Sequence, residues 1–98
     1  YPPVSQLLSV MMAGKEEEVL NQAAAQIHQW VLSMAGGRQV ELIGPTEATI
    51  YKVNDIYRKI LYLKQENYGI LIDIKNRLED LSPKAPWFSQ VMIQYDFA

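Results

Sequence analysis

The sequence predicts an α+β fold in which strand, helix, strand, strand, helix and strand follow one another. Three observations indicate this order. Two segments carry apolar residues at the three- and four-residue spacing of an amphipathic helix. The last segment alternates apolar and polar residues, as a strand with one covered face does. The remaining runs are short and rich in β-branched or aromatic residues, and two of the three are bounded by Gly or Pro.

The first strand is predicted over Val4–Met12, after the Pro2-Pro3 pair, and Gly14 is expected to end it. The first helix is predicted over Lys15–Met34, with Gly36-Gly37 as its end. Three consecutive glutamates in its first turn complement the helix dipole. The inward stripe of this helix comprises Val19, Leu20, Ala23, Ala24, Ile27, Trp30, Val31 and Met34.

The middle of the chain predicts two further strands. A short strand over Gln39–Ile43 is expected to stop at Gly44-Pro45 and to be followed by a loop. The third strand is predicted over Tyr57–Lys64, which is rich in aromatic and β-branched residues. Because these two strands follow each other without a helix, they are expected to lie antiparallel.

The second helix is predicted over Tyr68–Leu81, with Asn67 as its N-cap and Ser82-Pro83 as its end. Its inward stripe comprises Leu71, Ile74, Leu78 and Leu81. The last strand is predicted over Gln90–Phe97. Its two faces alternate, with Val91, Ile93, Tyr95 and Phe97 on one side and Gln90, Met92, Gln94 and Asp96 on the other.

Right-handed crossovers turn this order into two split βαβ units, which is the ferredoxin-like βαββαβ arrangement. We expect a four-stranded antiparallel sheet with both helices on one face. Trp30, Tyr95 and Phe97 are expected to share the core on that face. Trp87 lies in the loop before the last strand, so partial exposure is expected there.

The composition favours a single non-catalytic domain. The chain has 98 residues, a formal net charge of −2 and no cysteine, which fits a reducing cytoplasm and excludes thiolate metal sites. His28 is the only histidine, and a structural role on the first helix is the favoured interpretation. No phosphate-binding glycine loop or nucleophile motif is visible. The start at Tyr1 instead of Met indicates a piece excised from a longer chain.

One segment, residues 52–64, departs from the acidic balance. It holds four basic residues and one acidic residue, with tyrosines among them. Such a patch suits a phosphate backbone and an unstacked base, although a solvated strand edge has the same composition. Arg58 and Lys59 must face opposite sides of a strand, so only one of them can share a face with Lys52 or Lys64 unless the loop contributes.

Several short blocks in order carry a family resemblance. The chain opens with Tyr1-Pro2-Pro3-Val4, continues with Gly44-Pro45-Thr46-Glu47-Ala48 and Lys52, and then reads Tyr57-Arg58 at the start of the third strand. These blocks resemble the C-terminal domain of the PriA family, the primosomal protein N′ helicases of replication restart. The family usually ends its last strand with Asp-x-Asp-Pro, whereas here only Asp96 could correspond.

The resemblance implies a domain that helps to bind branched or single-stranded DNA and to dock the single-stranded DNA-binding protein. It implies a cytoplasmic parent protein with a helicase core that uses ATP, Mg and Zn, none of which this domain is expected to hold. It involves no membrane. The DNA-binding candidates are Lys52, Tyr57, Arg58, Lys59 and Lys64, and Gly44 and Pro45 are expected to shape the preceding loop.

The predicted fold is also compatible with three other functions. An RNA-recognition module would carry a Lys/Arg-Gly-aromatic pattern on the third strand, and the run from Tyr57 to Lys64 has no glycine. A small enzyme or ligand-binding domain needs convergent polar groups that the sequence does not offer. A protein–protein interaction module without DNA binding stays open, because the bulk of the chain is acidic and Trp87-Phe88 is hydrophobic.

Overall fold

The computed structural model describes residues 6–36 and 39–97. It confirms the predicted order of elements. They are β1 (Gln6–Gly14), α1 (Glu17–Ala35), β2 (Glu41–Val53), β3 (Ile56–Gln65), α2 (Tyr68–Leu81) and β4 (Val91–Phe97), with single-turn 3₁₀ helices at Ser82–Lys84 and Phe88–Gln90 between α2 and β4. The predicted start at Val4, the family block at Tyr1-Pro2-Pro3 and the helix-terminating Gly37 lie outside the described residues.

The described strands form one antiparallel sheet in the order β2-β3-β1-β4. β1 is central and pairs with β3 on one side and with β4 on the other. Its burial alternates along the strand, so one side of the sheet is covered and the other is open. This is the predicted ferredoxin-like arrangement, with both helices on the covered face.

The core lies between this covered face and the two helices. Leu8 and Val10 of β1 and Leu61 and Leu63 of β3 are fully buried there. The helices contribute the predicted stripes, although four of the predicted residues are only partly buried: Val19, Trp30, Met34 and Leu81. The buried helical residues are Leu20, Ala23, Ala24, Ile27, Val31 and Ala35 on α1 and Leu71, Ile74 and Leu78 on α2.

The prediction of a loop after Gly44-Pro45 was wrong, because β2 continues to Val53. One extra residue enters β2 between Ile43 and Thr46, which oppose Tyr62 and Ile60. A larger shift in register follows between Glu47 and Lys52. The pairing resumes with Lys52 opposite Tyr57, next to a two-residue turn at Asn54-Asp55. Both turn residues have positive φ, 52° and 64°. Asn and Asp tolerate that conformation, so this pair was a hairpin signal in the sequence.

The end of β1 and the start of α1 also differ from the prediction. Gly14 is the last residue of β1 and does not stop the strand before it. A Cβ there would lie 3.1 Å from the backbone oxygen of Gln90, so the glycine allows this close approach of β4. α1 begins at Glu17, two residues later than predicted. α2 has the predicted bounds, and the Asn67 side chain accepts a hydrogen bond from the Gly69 amide at 2.9 Å.

Trp30 packs against the core as predicted, but Trp87 is more deeply buried than expected. Trp87 is only 4% exposed, whereas Trp30 is partly buried at the margin of the core. The segment after α2 folds back onto α1, where the Trp87 Nε1 donates a hydrogen bond to Gln26 Oε1 at 2.6 Å. Tyr95 and Phe97 are also partly buried against the core, on the predicted face.

Tyr95 makes stability sensitive to alkaline pH. Burial of its ring raises its pKa to about 12, the Glu79 carboxylate adds to the shift, and a hydrogen bond with Ser82 opposes it. The folded state favours the neutral Tyr95 phenol, because its pKa there exceeds the ordinary value of 10.0. The contribution of this phenol to the free energy of unfolding is therefore complete below pH 10 and is lost as the pH rises towards about 12.

We therefore expect the free energy of unfolding to fall by about 1 kcal/mol more in the wild type than in Tyr95→Phe across this range, after discounting for partial exposure. Urea unfolding between about pH 9 and pH 12 measures the difference. Parallel pH profiles of the two proteins would contradict the assignment of this effect to Tyr95.

Candidate nucleic-acid interface

The five DNA-binding candidates lie on both faces of the sheet, four of them on β3 and Lys52 on β2. Tyr57 and Lys59 alternate with the buried Leu61 and therefore lie on the helix-covered side. Lys52 pairs with Tyr57 and shares this side. Arg58 and Lys64 lie on the open face, six residues or about 20 Å apart along the strand. The structure thus brings Lys52, Tyr57 and Lys59 together, whereas Arg58 and Lys64 are apart.

Lys52 and Tyr57 form a local cluster near the hairpin turn. The Lys52 ammonium lies 5.0 Å from the centroid of the Tyr57 ring and 3.6 Å from the Asp55 carboxylate. A hydrogen bond with the Tyr57 hydroxyl raises the pKa of Lys52, and the Asp55 carboxylate adds to the shift. Lys52 is therefore charged, but its ammonium group already interacts with the Asp55 carboxylate and the Tyr57 ring.

Two other candidates face acidic residues across the β2–β3 ladder. Lys59 is opposite Glu47, and Lys64 is opposite Glu41. Opposed charges at paired positions reduce the local positive potential, even where no ion pair within 4.0 Å forms. The positive excess that the sequence shows for residues 52–64 is thus largely offset by the neighbouring strand.

Arg58 has a different setting. It pairs with Ala13 on β1. Within residues 6–36 and 39–97, no carboxylate lies within 4.0 Å of its guanidinium. It borders a groove of about 870 Å³ on the open face, at the end of the sheet where the β2–β3 hairpin turns. Lys15 and Glu16 line the same groove.

The groove combines an apolar floor with polar and charged residues. Its apolar contributors are Met11, Ala13, Ile56 and Met92, and its polar ones include Ser89, Gln90 and Gln94. Met92 is 71% exposed, more than any other large hydrophobic side chain in the described part of the chain. Lys15 and Met92 are not among the residues predicted from the sequence to bind DNA. The alternation of the last strand did place Met92 and Gln94 on the open side.

Gly44 and Pro45 shape a strand and not a loop. Gly44 has φ +97° and a Cβ there would lie 2.7 Å from the Thr46 nitrogen and 2.9 Å from the Ile60 oxygen. Only glycine allows this approach of β2 to β3. The pair therefore accommodates the extra residue in β2 and sets the register of the strand that carries Glu47 opposite Lys59.

Other chemistry has little support in the described part of the chain. No group of three or more His, Cys, Asp or Glu side chains there could hold a metal ion. His28 is partly buried on α1, which is compatible with the structural role favoured for it. No helix in the same part is long and apolar enough to cross a membrane.

The fold belongs to the class of ferredoxin-like α+β domains. The chain is similar to the de novo designed protein Foldit4 (TM-score 0.75, 10% identity, 97% of each chain covered). It is also similar to a dimeric ferredoxin-like protein from an uncultured marine organism (TM-score 0.60, 11% identity, 97% of this chain and 94% of that chain). An amidase of the hydantoinase/carbamoylase family from Burkholderia ambifaria has a TM-score of 0.60 and 12% identity. This chain covers 27% of that amidase, with 96% of its own length aligned.

Identities this low establish the fold alone. The family follows from a different comparison, in which residues 1–96 match the model of the primosomal protein N C-terminal domain. The chain belongs to this family, which confirms the resemblance seen in the sequence. It is therefore a C-terminal accessory domain of a primosomal protein of replication restart. No curated protein sequence matches the chain.

Proposed function

We propose that this domain contributes to the binding of branched or single-stranded DNA, through Arg58 and the adjoining groove on the open face. The observation that carries the proposal is the position of Arg58. Its guanidinium has no carboxylate within 4.0 Å among the described residues, and it borders a groove that Lys15 also lines. Membership in a primosomal family supports DNA as the ligand.

The chemistry of the groove suits a nucleotide. A guanidinium can donate two parallel hydrogen bonds to a phosphate, and an arginine without an intramolecular acid partner is free to do so. The exposed Met92 and the neighbouring Ile56 offer an apolar surface to the face of an unstacked base. Lys52 and Lys59 lie on the other side of the sheet, so they are proposed as secondary contacts that only a DNA branch passing around the hairpin could reach.

We expect weak, salt-sensitive binding by the isolated domain. A net charge of −2 gives no long-range attraction to a phosphate polymer. Two cationic contacts, Arg58 and Lys15, predict a slope of log affinity against log salt of about −2. Charge reversal by Arg58→Glu should weaken binding about tenfold or more, since it removes a phosphate contact and adds a repulsive charge. Fluorescence titration of forked DNA at about 20 mM salt measures both quantities.

Arg77→Glu is the matched control. It makes the same change of charge on the outer surface of α2, where Arg77 pairs with Asp73 at 3.4 Å. We expect its affinity for DNA to stay within about twofold of the wild type, since an exposed ion pair contributes little. Equal losses for the two variants would indicate a nonspecific effect of net charge and would contradict a site at Arg58.

A second candidate function is protein docking without DNA binding. The exposed Met92 and the apolar lining of the groove favour it, because contiguous exposed apolar surface marks many protein contact sites. The proposed partners are the single-stranded DNA-binding protein and the helicase core of the parent chain. Met92→Ser should then weaken binding of the partner protein while DNA affinity is absent or unchanged.

We also propose that the parent is an ATP-dependent DNA helicase acting in the cytoplasm. Its family supports this role. ATP, Mg and Zn would then be held by other parts of that protein. The domain itself would add affinity by being linked to the motor in one chain, so that even weak contacts gain from a high effective concentration.

A further inference from the structure

The two edges of the sheet differ in how they are protected against pairing with another strand. β2 is one edge, and it carries Pro45, two register irregularities and three charged residues, Glu41, Glu47 and Lys52. Such features normally prevent the addition of a further strand. β4 is the other edge. It has seven residues, pairs with β1 in unbroken register, and contains no proline and one charged residue, Asp96.

The side chains next to the β4 edge are incompletely covered. Ile93, Tyr95 and Phe97 face the helices but stay partly buried, whereas Leu8 and Val10 on the neighbouring β1 are fully buried. These side chains are exposed on the outer side of β4, where no further strand lies among the described residues. A further strand there would complete the burial that the central strands already have.

One flank of α2 extends this apolar surface. The Tyr68 ring lies 5.0 Å from the Phe97 ring, and the Lys75 ammonium lies 5.9 Å from the Tyr95 ring, so this flank borders β4. Ile72 falls on the same flank by helical spacing. Tyr68 is 44% exposed and Ile72 is 36% exposed. A second groove, of about 340 Å³, lies between the end of α2 and β4, and is lined by Glu79, Ser82, Met92 and Tyr95 among others.

We propose that this edge pairs with the β4 strand of a second copy of the chain, forming a two-fold symmetric dimer with a continuous eight-stranded sheet. The strand is complementary to itself when the axis passes through its central residue, Gln94, because all seven residues then find a partner. The cross-strand pairs would be Val91 with Phe97, Ile93 with Tyr95, Met92 with Asp96, and Gln94 with Gln94 of the second copy.

The chemistry of these pairs favours a second copy over an unrelated strand. β-Branched residues meet aromatic ones on the covered face, which is a favourable combination. The single charge of β4, Asp96, faces a methionine and not another acid. On α2, Lys75 and Glu79 form an ion pair close to Tyr95. The two-fold axis would bring this ion pair close to the same pair in the second copy. Lys75 of each copy would then lie near Glu79 of the other, so that opposite charges face each other.

The dimer is expected to be weak and reversible, because a single pair of short strands with one helix flank is at the small end of protein interfaces. Sedimentation equilibrium of the 98-residue chain from about 10 µM to 1 mM should show a mass rising from 11.2 kDa towards twice that value. A mass that stays at 11.2 kDa over this whole range would overturn the proposal.

Gln94 offers a direct test of the axis. It is exposed on the open face, so a charge there is tolerated by the monomer. Gln94→Lys and Gln94→Glu should each abolish the dimer, because the two-fold axis places like charges opposite each other. A mixture of the two variants should restore the dimer mass, since the opposed charges are then complementary.

The matched control is Gln29→Lys, which adds the same charge on an exposed position of α1. It should dimerise like the wild type. A dimer that survives in Gln94→Lys, or one that is not restored in the mixture, would place the interface elsewhere and overturn the proposal. The test uses no DNA, so its outcome is independent of the function proposed for Arg58.

Discussion

Trp87→Ala is expected to lower the free energy of unfolding by about 3–5 kcal/mol, a large part of the stability of a domain of this size. The side chain is 4% exposed. Its Nε1 donates a hydrogen bond to Gln26 Oε1 at 2.6 Å, and its ring lies 6.0 Å from that of Trp30. Truncation would leave a cavity between the segment after α2 and the surface of α1, and would also leave the Gln26 amide without its donor.

Trp30→Ala provides the comparison. Because Trp30 is only partly buried at the margin of the core, we expect a smaller loss of about 1–2 kcal/mol. Urea unfolding monitored by far-ultraviolet circular dichroism, which reports mainly on the backbone, measures both variants. A greater loss for Trp30→Ala than for Trp87→Ala would contradict the packing of the segment that precedes β4.

Gly44→Ala is expected to lower the free energy of unfolding by about 2–4 kcal/mol. The backbone has φ +97°, a conformation that residues with a Cβ rarely adopt. The added methyl group would also lie 2.7 Å from the Thr46 nitrogen and 2.9 Å from the Ile60 oxygen. Both are backbone atoms, so neither can move aside without a shift in the pairing of β2 with β3.

Hydrogen exchange can localise this effect. We expect faster exchange of the β2 amides around Thr46 in Gly44→Ala, while those in the centre of β1 change less, because β1 is held by strands on both sides. Gly69→Ala is the control, since Gly69 has no positive φ and its nearest contact is the Asn67 side chain at 3.2 Å. A loss at Gly69 as large as that at Gly44 would show that the backbone conformation of Gly44 is not the cause.

The sequence predicted α2 and β4 well because each carries a complete local signal. α2 has a capping asparagine at Asn67, a periodic apolar stripe and a terminating Ser82-Pro83, and the structure has the predicted bounds. β4 alternates without interruption, and its burial alternates in the same way. In both elements, local propensity and tertiary packing favour the same conformation.

β2 was predicted poorly because its determinants are not local. Gly44-Pro45 usually marks a turn, yet here β3 provides a partner strand on both sides of it. The backbone hydrogen bonds with β3 outweigh the local preference for a break, and the extra residue is absorbed as an irregularity. The Asn54-Asp55 turn was readable from the sequence, because both residue types accept positive φ.

For the candidate site, strand alternation and the short family motifs were enough to predict that Arg58 and Lys59 face opposite sides of a strand, that β4 has one apolar side, and that the chain resembles its family. Which charges remain uncompensated depends on the strand pairing. Glu41 and Glu47 precede the basic residues that they oppose by more than ten positions, and the strand pairing brings them together. Charge balance and burial depend on neighbours in space, so Arg58 was distinguished from the other basic residues, and Trp87 from Trp30, only in the folded chain.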